Sequence, residues 1–253
     1  MTEPTRPIPV TRRRGRAALL LVVGLLGLVL LALDRAADLV SERAVARAVQ
    51  QQQRLSRPPT VSISGFPFLT QVVSGRLEQV DLTAIGVPAA AGLTVDQVQV
   101  RLAGVDVRGS DLIAGRTDGL TADRMTVRAV VGYPRIDDVV ANRLRSDQLV
   151  LRFGAGGNGR LAVRGTIVSP QGELSVQGLV QVELVDGGVR LRLDPGSVQG
   201  LPAAALGLLG PLLDLTIEGP DQVNGLRPTG LRVGPDGIIL TAAGTNVLLS
   251  SLA

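Results

Sequence analysis

Hydrophobic residues are continuous near the start of the chain, and only later do they alternate with polar ones. Residues 17–33 (AALLLVVGLLGLVLLAL) contain no charged side chain and follow four arginines within residues 12–16. At about 1.5 Å per residue, a helix over this run is about 25 Å long, at the short end of what crosses a hydrocarbon core. Basic residues on the amino-terminal side of such a run are held in the cytoplasm. The pattern predicts a cytoplasmic basic tail over residues 1–16 and a single-pass transmembrane anchor over residues 17–33, with the main domain extracytoplasmic.

A cleaved secretory signal is the alternative for residues 17–33, and it delivers the rest of the chain to the same side of the membrane. An uncleaved anchor is favoured because the run exceeds the usual hydrophobic segment of a signal. No A-x-A-like site follows it before Asp38. The sequence has no cysteine, so it offers none for a lipid anchor and none for a disulfide. The exported part is therefore predicted to depend on its hydrophobic core alone.

Residues 34–57 predict a helix that leaves the membrane and then stops. Apolar residues recur at helical spacing between Ala36 and Ala48. Pro58 and Pro59 follow, and proline cannot continue the hydrogen-bond ladder of a helix. We expect this helix to pack into the domain that comes after it.

Residues 58–253 are predicted to form one extracytoplasmic domain built mainly of strands. From Thr60 onward apolar and polar residues alternate with a period of two, which is typical of strands with one buried face. The alternation shifts phase between Val95 and Val98 and again around Gly104, as it does at a β-bulge. The predicted fold class is therefore α+β, with a helix and a bent antiparallel sheet.

Turns and short helices complete the predicted domain. Asp-Gly-Gly at residues 186–188 and Pro-Asp-Gly at residues 235–237 separate alternating segments and predict hairpins. Residues 136–145 have apolar positions at helical spacing, and residues 201–215 (LPAAALGLLGPLLDL) are apolar on nearly all sides. A helix of the second kind must be buried in protein or must contact something apolar.

Composition removes most familiar catalytic groups. The absence of histidine and cysteine leaves no imidazole base, no thiolate nucleophile and no usual zinc ligand. The net charge of +4 is carried by residues 1–16, and no aromatic platform accompanies it, so no nucleic-acid partner is expected. The segment GAGGNG at residues 154–159 matches G-x-G-x-x-G, but the alternation after it predicts a hairpin loop and not a dinucleotide site. We predict no cofactor, no metal and no catalytic residue, with carboxylate-based hydrolysis as the minor alternative.

The segment ISGFPFLTQ, residues 63–71, contains two of the three phenylalanines in the chain. One interpretation is a strand that turns a corner, with glycine and proline allowing the bend and both rings in the core. The other interpretation is an apolar lip at the mouth of a binding groove. The pattern alone does not decide between them.

Three segments carry a resemblance to a known family. They are the amino-terminal anchor with its helix, the stretch VSISGFPFLTQVVSG followed by RLEQVDLTAIGV, and the ending LRPTGLRVGPDGIILTAAGTNVLL. In these the chain resembles the actinobacterial LmeA-like phospholipid-binding envelope proteins, over most of residues 35–250. The resemblance implies a tubular lipid-binding fold, in which a long helix is wrapped by a curved antiparallel sheet around an apolar groove. It also implies phospholipid binding, with phosphatidylinositol-type lipids as the candidate ligand and support of mannosylated lipoglycan synthesis as the candidate role.

We therefore expect non-enzymatic binding of a phospholipid in the cell envelope, through burial of its acyl region. The expected partners are the phospholipid and the membrane, and an envelope glycosyltransferase is a further candidate. The alternative is a membrane-anchored scaffold that docks such a glycosyltransferase and binds no lipid. Any headgroup contact would come from arginine, whose planar fork suits phosphate. The candidate groove residues are Phe66, Phe68, Leu69, Leu206, Leu208, Leu209, Leu212 and Leu213.

Overall fold

The protein is an α+β fold with two antiparallel sheets. The computed structural model describes residues 13–52, 55–89, 93–108, 110–111, 120–144, 149–169, 172–185, 188–200, 214–218 and 225–249. The helices are α1 (Arg13–Gln52), α2 (Phe68–Ser74) and α3 (Tyr133–Leu144). The strands are β1 (Thr60–Ser64), β2 (Arg76–Pro88), β3 (Thr94–Asp106), β4 (Thr121–Gly132), β5 (Leu149–Ala155), β6 (Leu161–Ser169), β7 (Gly172–Val185), β8 (Gly188–Gln199), β9 (Leu215–Glu218), β10 (Leu226–Val233) and β11 (Gly237–Leu248).

The strands are divided between a six-stranded sheet A, in the order β1-β2-β3-β4-β11-β10, and a five-stranded sheet B, in the order β5-β6-β7-β8-β9. The predicted antiparallel meanders are confirmed, and β11 returns to pair with β4. The expectation of one curved sheet needs correction, because there are two and neither is closed. The chain leaves sheet A after β4 and forms α3, whose apolar residues Ile136 and Val140 begin a second core with sheet B.

Helix α1 is continuous from the apolar run into the predicted extracytoplasmic helix, and its 40 residues make it about 60 Å long. It ends at Gln52, close to the predicted stop before Pro58. Among the described residues, no helix combines the length and apolar content that a membrane crossing requires. The structure therefore does not support the predicted span over residues 17–33, which stays a prediction.

Sheet A bends along a line that crosses several strands. Gly104 in β3 has φ +61°, and Asn246 in β11 has φ +51°, both in the left-handed region that glycine adopts at no steric cost. On either side of Gly104, Val105 and Leu102 both face the core, although residues three apart in a regular strand face opposite sides. The predicted shift between Val95 and Val98 is accompanied by Gly86, at φ +66° in the neighbouring strand β2. The predicted phase shifts are confirmed as bends of the sheet.

The predicted turns are confirmed as hairpins. Strands β7 and β8 pair up to residues 185 and 188, and β10 and β11 pair across residues 234–237. In the GAGGNG segment, the Gly156 amide donates to the Arg160 carbonyl at 2.8 Å, and the Arg160 amide donates to the Gly157 carbonyl at 3.0 Å. Strand β6 follows this loop, so the segment does not open a helix as a dinucleotide site would.

Helix α3 confirms the helix predicted over residues 136–145. The buried Asp137 accepts a hydrogen bond from the Phe153 amide at 2.7 Å and pairs with Arg152 at 3.2 Å. These contacts fix α3 to β5, the first strand of sheet B.

Two buried clusters hold the fold. The first core combines β1 to β4 and the end of β11 with α1 and α2. The second core combines sheet B with α3 and with Ile238 of β11. Since β11 contributes to both, the two sheets are joined through shared hydrophobic packing.

Candidate functional site

One face of sheet A carries apolar residues in register across the strands. Residues opposite each other on paired strands form rows, and residues two apart along a strand lie on the same side. Row 1 lies directly on one side of the bend, and rows 2 and 3 follow it along the strands. The buried row on the other side of the bend is called the base row. The base row is Leu77, Val105, Ala122 and Val247. Row 1 is Ile63, Val80, Leu102, Met125, Gly244 and Leu226; row 2 is Val61, Leu82, Val100, Val127, Ala242 and Pro228; row 3 is Ala84, Val98, Ala129, Leu240 and Leu231.

Burial decreases along this face. The base-row side chains are 0–2% exposed, and most of row 1 is buried as well. In rows 2 and 3, by contrast, residues such as Leu82, Val100 and Val127 are only half-buried. Leu231 of row 3 packs against the second core. We call rows 2 and 3 the apolar strip. It is a hydrophobic surface less buried than row 1, except at Val61 and Ala84, and its row-2 residues pack against the first core.

The apolar strip has the size and chemistry to hold a hydrocarbon chain. At about 4.8 Å between strands, six strands make the strip about 24 Å wide, against about 15 Å for one leaflet of a bilayer core. None of its residues is charged or has a polar side chain. The opposite face of the same strands carries ion pairs such as Arg101 with Asp81 at 2.7 Å. The strip can therefore bind a ligand by burying apolar surface and not by electrostatics.

Helix α1 packs against β1, the edge strand that contributes Val61 to the strip. The Glu42 carboxylate accepts a hydrogen bond from the Ile63 amide at 2.9 Å, so a side chain of α1 satisfies a backbone donor of β1. Ala37, Val45 and Ala46 of α1 pack against the first core. The part of α1 after residue 34 therefore packs against sheet A.

The ISGFPFLTQ motif separates its two rings. Strand β1 ends at Ser64, the Phe66–Pro67 peptide is cis, and α2 begins at Phe68. Phe68 is 2% exposed within the first core, whereas Phe66 is 59% exposed, and Leu69 is exposed too. The motif therefore lies beside the sealed end of the apolar face, and only Phe66 and Leu69 are placed as a surface lip would be. Their contact with lipid stays a prediction.

The other predicted groove residues lie in the segment between β8 and β9. All of them fall outside the described residues, so the structure does not position them against the strip. They are Leu206, Leu208, Leu209, Leu212 and Leu213.

Helix α2 is fixed to its surroundings by buried polar groups. The Leu69 amide donates to Asp34 Oδ1 at 2.6 Å, and Asp34 is buried in α1. The side-chain oxygen of Gln71, also buried, accepts from the Glu78 amide at 2.8 Å. Because Asp34 directly follows the apolar run, α2 is held next to the place where that run ends.

Asp38 lies one turn from Asp34 and one turn from Glu42, on the same stripe of α1. Its Oδ1 atom is buried and accepts no hydrogen bond within the part of the chain that the structure describes. Burial raises the pKa of the Asp38 carboxyl above its ordinary value of 3.8, and the charge of Glu42 raises it further. A carboxyl of this kind holds its proton more tightly in the folded state than in the unfolded chain.

This preference predicts how stability depends on pH. What Asp38 contributes to the free energy of unfolding is present below its ordinary pKa of 3.8 and is lost as the pH rises through the raised value. Asp38→Asn resembles the protonated form, so we expect it to raise the melting temperature at about pH 7 and to leave it unchanged at about pH 3. Circular dichroism in detergent measures both, with the exposed Asp138→Asn as control. An unchanged melting temperature at neutral pH would contradict the assignment.

The apolar strip was missed by the sequence analysis, although its strands were predicted. The signal was present as apolar alternation in every strand of sheet A, but the order of the strands and their register are needed to align it into rows. The bends hide it further, because they reverse the facing of side chains within β2, β3 and β4.

A polar depression of about 290 Å³ lies elsewhere, against α3. It is lined by Thr94, Arg135, Asp138, Asn142 and two small apolar residues, so its chemistry does not suit an acyl chain. Within the described ranges, no group of acidic residues is arranged to hold a metal ion.

Comparison with known proteins identifies the family. The model of the LmeA-like phospholipid-binding family matches residues 32–243, which is most of the chain and includes α2, sheet B and sheet A up to the first half of β11. The chain belongs to the LmeA-like phospholipid-binding family. This match confirms the resemblance to the LmeA-like family that the sequence shows. Lipid binding is a property of this family and of the chain as its member. No curated protein and no solved structure gives a match.

Proposed function

We propose that this chain binds a phospholipid without chemically changing it, with the acyl region of the lipid buried against the apolar strip. One observation carries the proposal. Rows 2 and 3 carry no charged or polar side chain, and most of their residues are only partly buried although Val61 and Ala84 are sealed. Row 2 packs against the first core, and Leu231 of row 3 packs against the second. A half-open apolar surface of this width is what an acyl chain can cover.

The energy for binding would come from burial of hydrocarbon. Eight methylene groups removed from water contribute about 6 kcal/mol, at about 0.8 kcal/mol each, before the cost of association is subtracted. The strip supplies no fixed charge, so it discriminates little between headgroups. Headgroup preference must arise from residues outside it.

The resemblance supports a phosphatidylinositol-type ligand, a place in the cell envelope and a role in lipoglycan synthesis, with an envelope glycosyltransferase as a partner. The arginine-flanked run over residues 17–33 supports attachment to the cytoplasmic membrane, with the main domain on its outer, periplasmic side.

Several arrangements support binding without catalysis. The chain has no His, Cys or Lys, so neither an imidazole-based nor a Ser-Lys hydrolytic device can be built. Several surface carboxylates are paired with arginine, as in Arg135 with Asp96 at 3.0 Å and Arg190 with Asp214 at 2.8 Å. No carboxylate belongs to the apolar strip.

The test begins with the full chain isolated from the membrane fraction in mild detergent and examined by native mass spectrometry. We expect the folded chain to carry phospholipid, and to take up phosphatidylinositol labelled in both its headgroup and its acyl chains without cleaving it. A chain that stays empty after incubation would contradict lipid binding and favour the scaffold alternative. Turnover abolished by replacing one Asp or Glu would establish an enzyme, and recovery only in the soluble fraction would contradict attachment to the membrane.

A further inference from the structure

Helix α2 exposes apolar side chains on the face that turns away from the core. Phe68 and Gln71 face inward, and Leu69 and Val73, one turn apart, face outward. Val73 is 87% exposed, and the ring of Phe66 lies open just before the helix. An amphipathic helix in water places polar residues on its outer face. The exposed positions of α2 are Leu69 and Val73, which are apolar, and Thr70 and Ser74, which are polar. We use the name outer face of α2 for the apolar patch formed by Leu69, Val73 and the preceding Phe66, which suits an apolar surrounding bordered by a polar one.

This outer face continues onto exposed apolar residues of α1. The hydrogen bond from the Leu69 amide fixes α2 at Asp34, the first residue after the apolar run. The preceding turns of α1 expose Leu30, Leu31 and Leu33. Since α1 is one uninterrupted helix through this point, the two surfaces keep a fixed relation to each other. A partner that covers the end of the run would also reach the outer face of α2.

Arg35 lies at the junction of these surfaces. The guanidinium of Arg35 lies over the ring of Phe66, 5.3 Å from its centroid. Arg35 is exposed and follows Leu31 by one turn, on the same stripe of α1. At the boundary of an apolar surface, the guanidinium group of an arginine stays in the polar surroundings. There it can bind a phosphate through two parallel hydrogen bonds.

The geometry points to a bilayer-docking surface formed by Phe66, Leu69 and Val73, with Arg35 contacting the phosphate of an anionic lipid headgroup. Its occupant is the surface of the membrane that holds the start of α1, and the inference rests on the membrane attachment included in the proposed function. The surface is separate from the apolar strip, because α2 closes the sealed end of the apolar face. Docking would orient the domain on the membrane and would supply the headgroup preference that the strip lacks.

The test uses the absence of cysteine from the chain, which makes single labels specific. Val73→Cys and, as matched control, Val150→Cys on β5 are labelled with an environment-sensitive fluorophore in the full chain. Each is reconstituted into vesicles of phosphatidylcholine and phosphatidylinositol that carry nitroxide lipids of known depth. Both valines are exposed, so neither label should disturb folding. We expect shallow nitroxides to quench the label at residue 73 and not the label at residue 150. Equal quenching at the two positions, or failure of the chain to enter the vesicles, would overturn the inference.

The contribution of Arg35 is tested in the same system. We expect Arg35→Gln to lower the ratio of docked to undocked label about fivefold in vesicles with phosphatidylinositol, and to change it little in phosphatidylcholine alone. Arg35→Lys should recover part of the loss, because the charge remains but the bidentate fork does not. The same loss in both lipids would show that Arg35 acts only through packing and would overturn its headgroup role.

The amount of bound phospholipid distinguishes failure of the docking surface from failure of the proposed lipid binding. In the full chain, we expect Val73→Asp to abolish docking while the bound phospholipid seen by native mass spectrometry is retained. Docking in a chain that carries no lipid would contradict the proposed function alone. Loss of loading together with docking in this variant, with its melting temperature unchanged, would contradict the separation of the two surfaces.

Discussion

Phe68→Ala is expected to lower the free energy of unfolding by about 3–5 kcal/mol, whereas Phe66→Ala should change it by less than about 1 kcal/mol. The Phe68 ring is 2% exposed in the first core, so its removal leaves a cavity beside Leu77 and Val105. The Phe66 ring is open to solvent and contacts Arg35, and contacts of this kind contribute little at a surface. Thermal and urea unfolding of the three proteins in one detergent measures the difference.

Each outcome decides between the two interpretations of the motif. Equal losses would place both rings in the core, as in a simple strand corner. Two small losses would place both at the surface and would contradict the sealed end of the apolar face. Only the unequal result fits a motif that sends one ring into the core and leaves the other exposed.

The motif shows why local patterns could not settle its structure. Residues 68–74 (FLTQVVS) contain two adjacent valines and a threonine, which are weak helix formers, and the sequence analysis predicted no helix there. The helix forms because distant groups satisfy its backbone and side chains. Asp34 accepts from the Leu69 amide across 35 positions, and Gln71 bridges to the start of β2. Contacts between residues so far apart in the sequence do not change the local pattern of apolar and polar residues.

The strands and hairpins, by contrast, followed from local signals. Alternation with a period of two and the Asp-Gly and Gly-rich turns were enough to predict them, and glycine marked the bends at residues 86 and 104. The division into two sheets was not predictable in this way. It depends on the pairing of β11 with β4, two strands that are far apart in the sequence. Long-range packing determines such a pairing, and turn geometry does not.

In the candidate site, too, some residues could be predicted from local sequence and others could not. Phe66 and Leu69 could be chosen because aromatic and leucine side chains next to glycine and proline stand out in a chain with 2% aromatic residues. The apolar strip could not be chosen, because Val100, Val127 and Ala242 are ordinary strand residues until pairing brings them into one row. A surface built from the register of six strands is visible only in the folded protein.

Val127→Arg is expected to reduce phospholipid loading at least about tenfold, because it places a charge in the middle of row 2. The adjacent residue provides the matched control, since Thr126 is exposed on the opposite face of β4 and Thr126→Arg should leave loading unchanged. Native mass spectrometry of lipid-incubated chains measures both, and circular dichroism reports whether each variant is folded.

If Val127→Arg unfolds, Ala129→Leu tests the same strip without a charge, by filling part of row 3 with side-chain volume. A folded Val127→Arg protein with full loading would mean that the acyl chain lies elsewhere. Loss of loading in both arginine variants would instead point to a general effect of added charge, so the assignment of the strip depends on the contrast between two neighbouring residues of one strand.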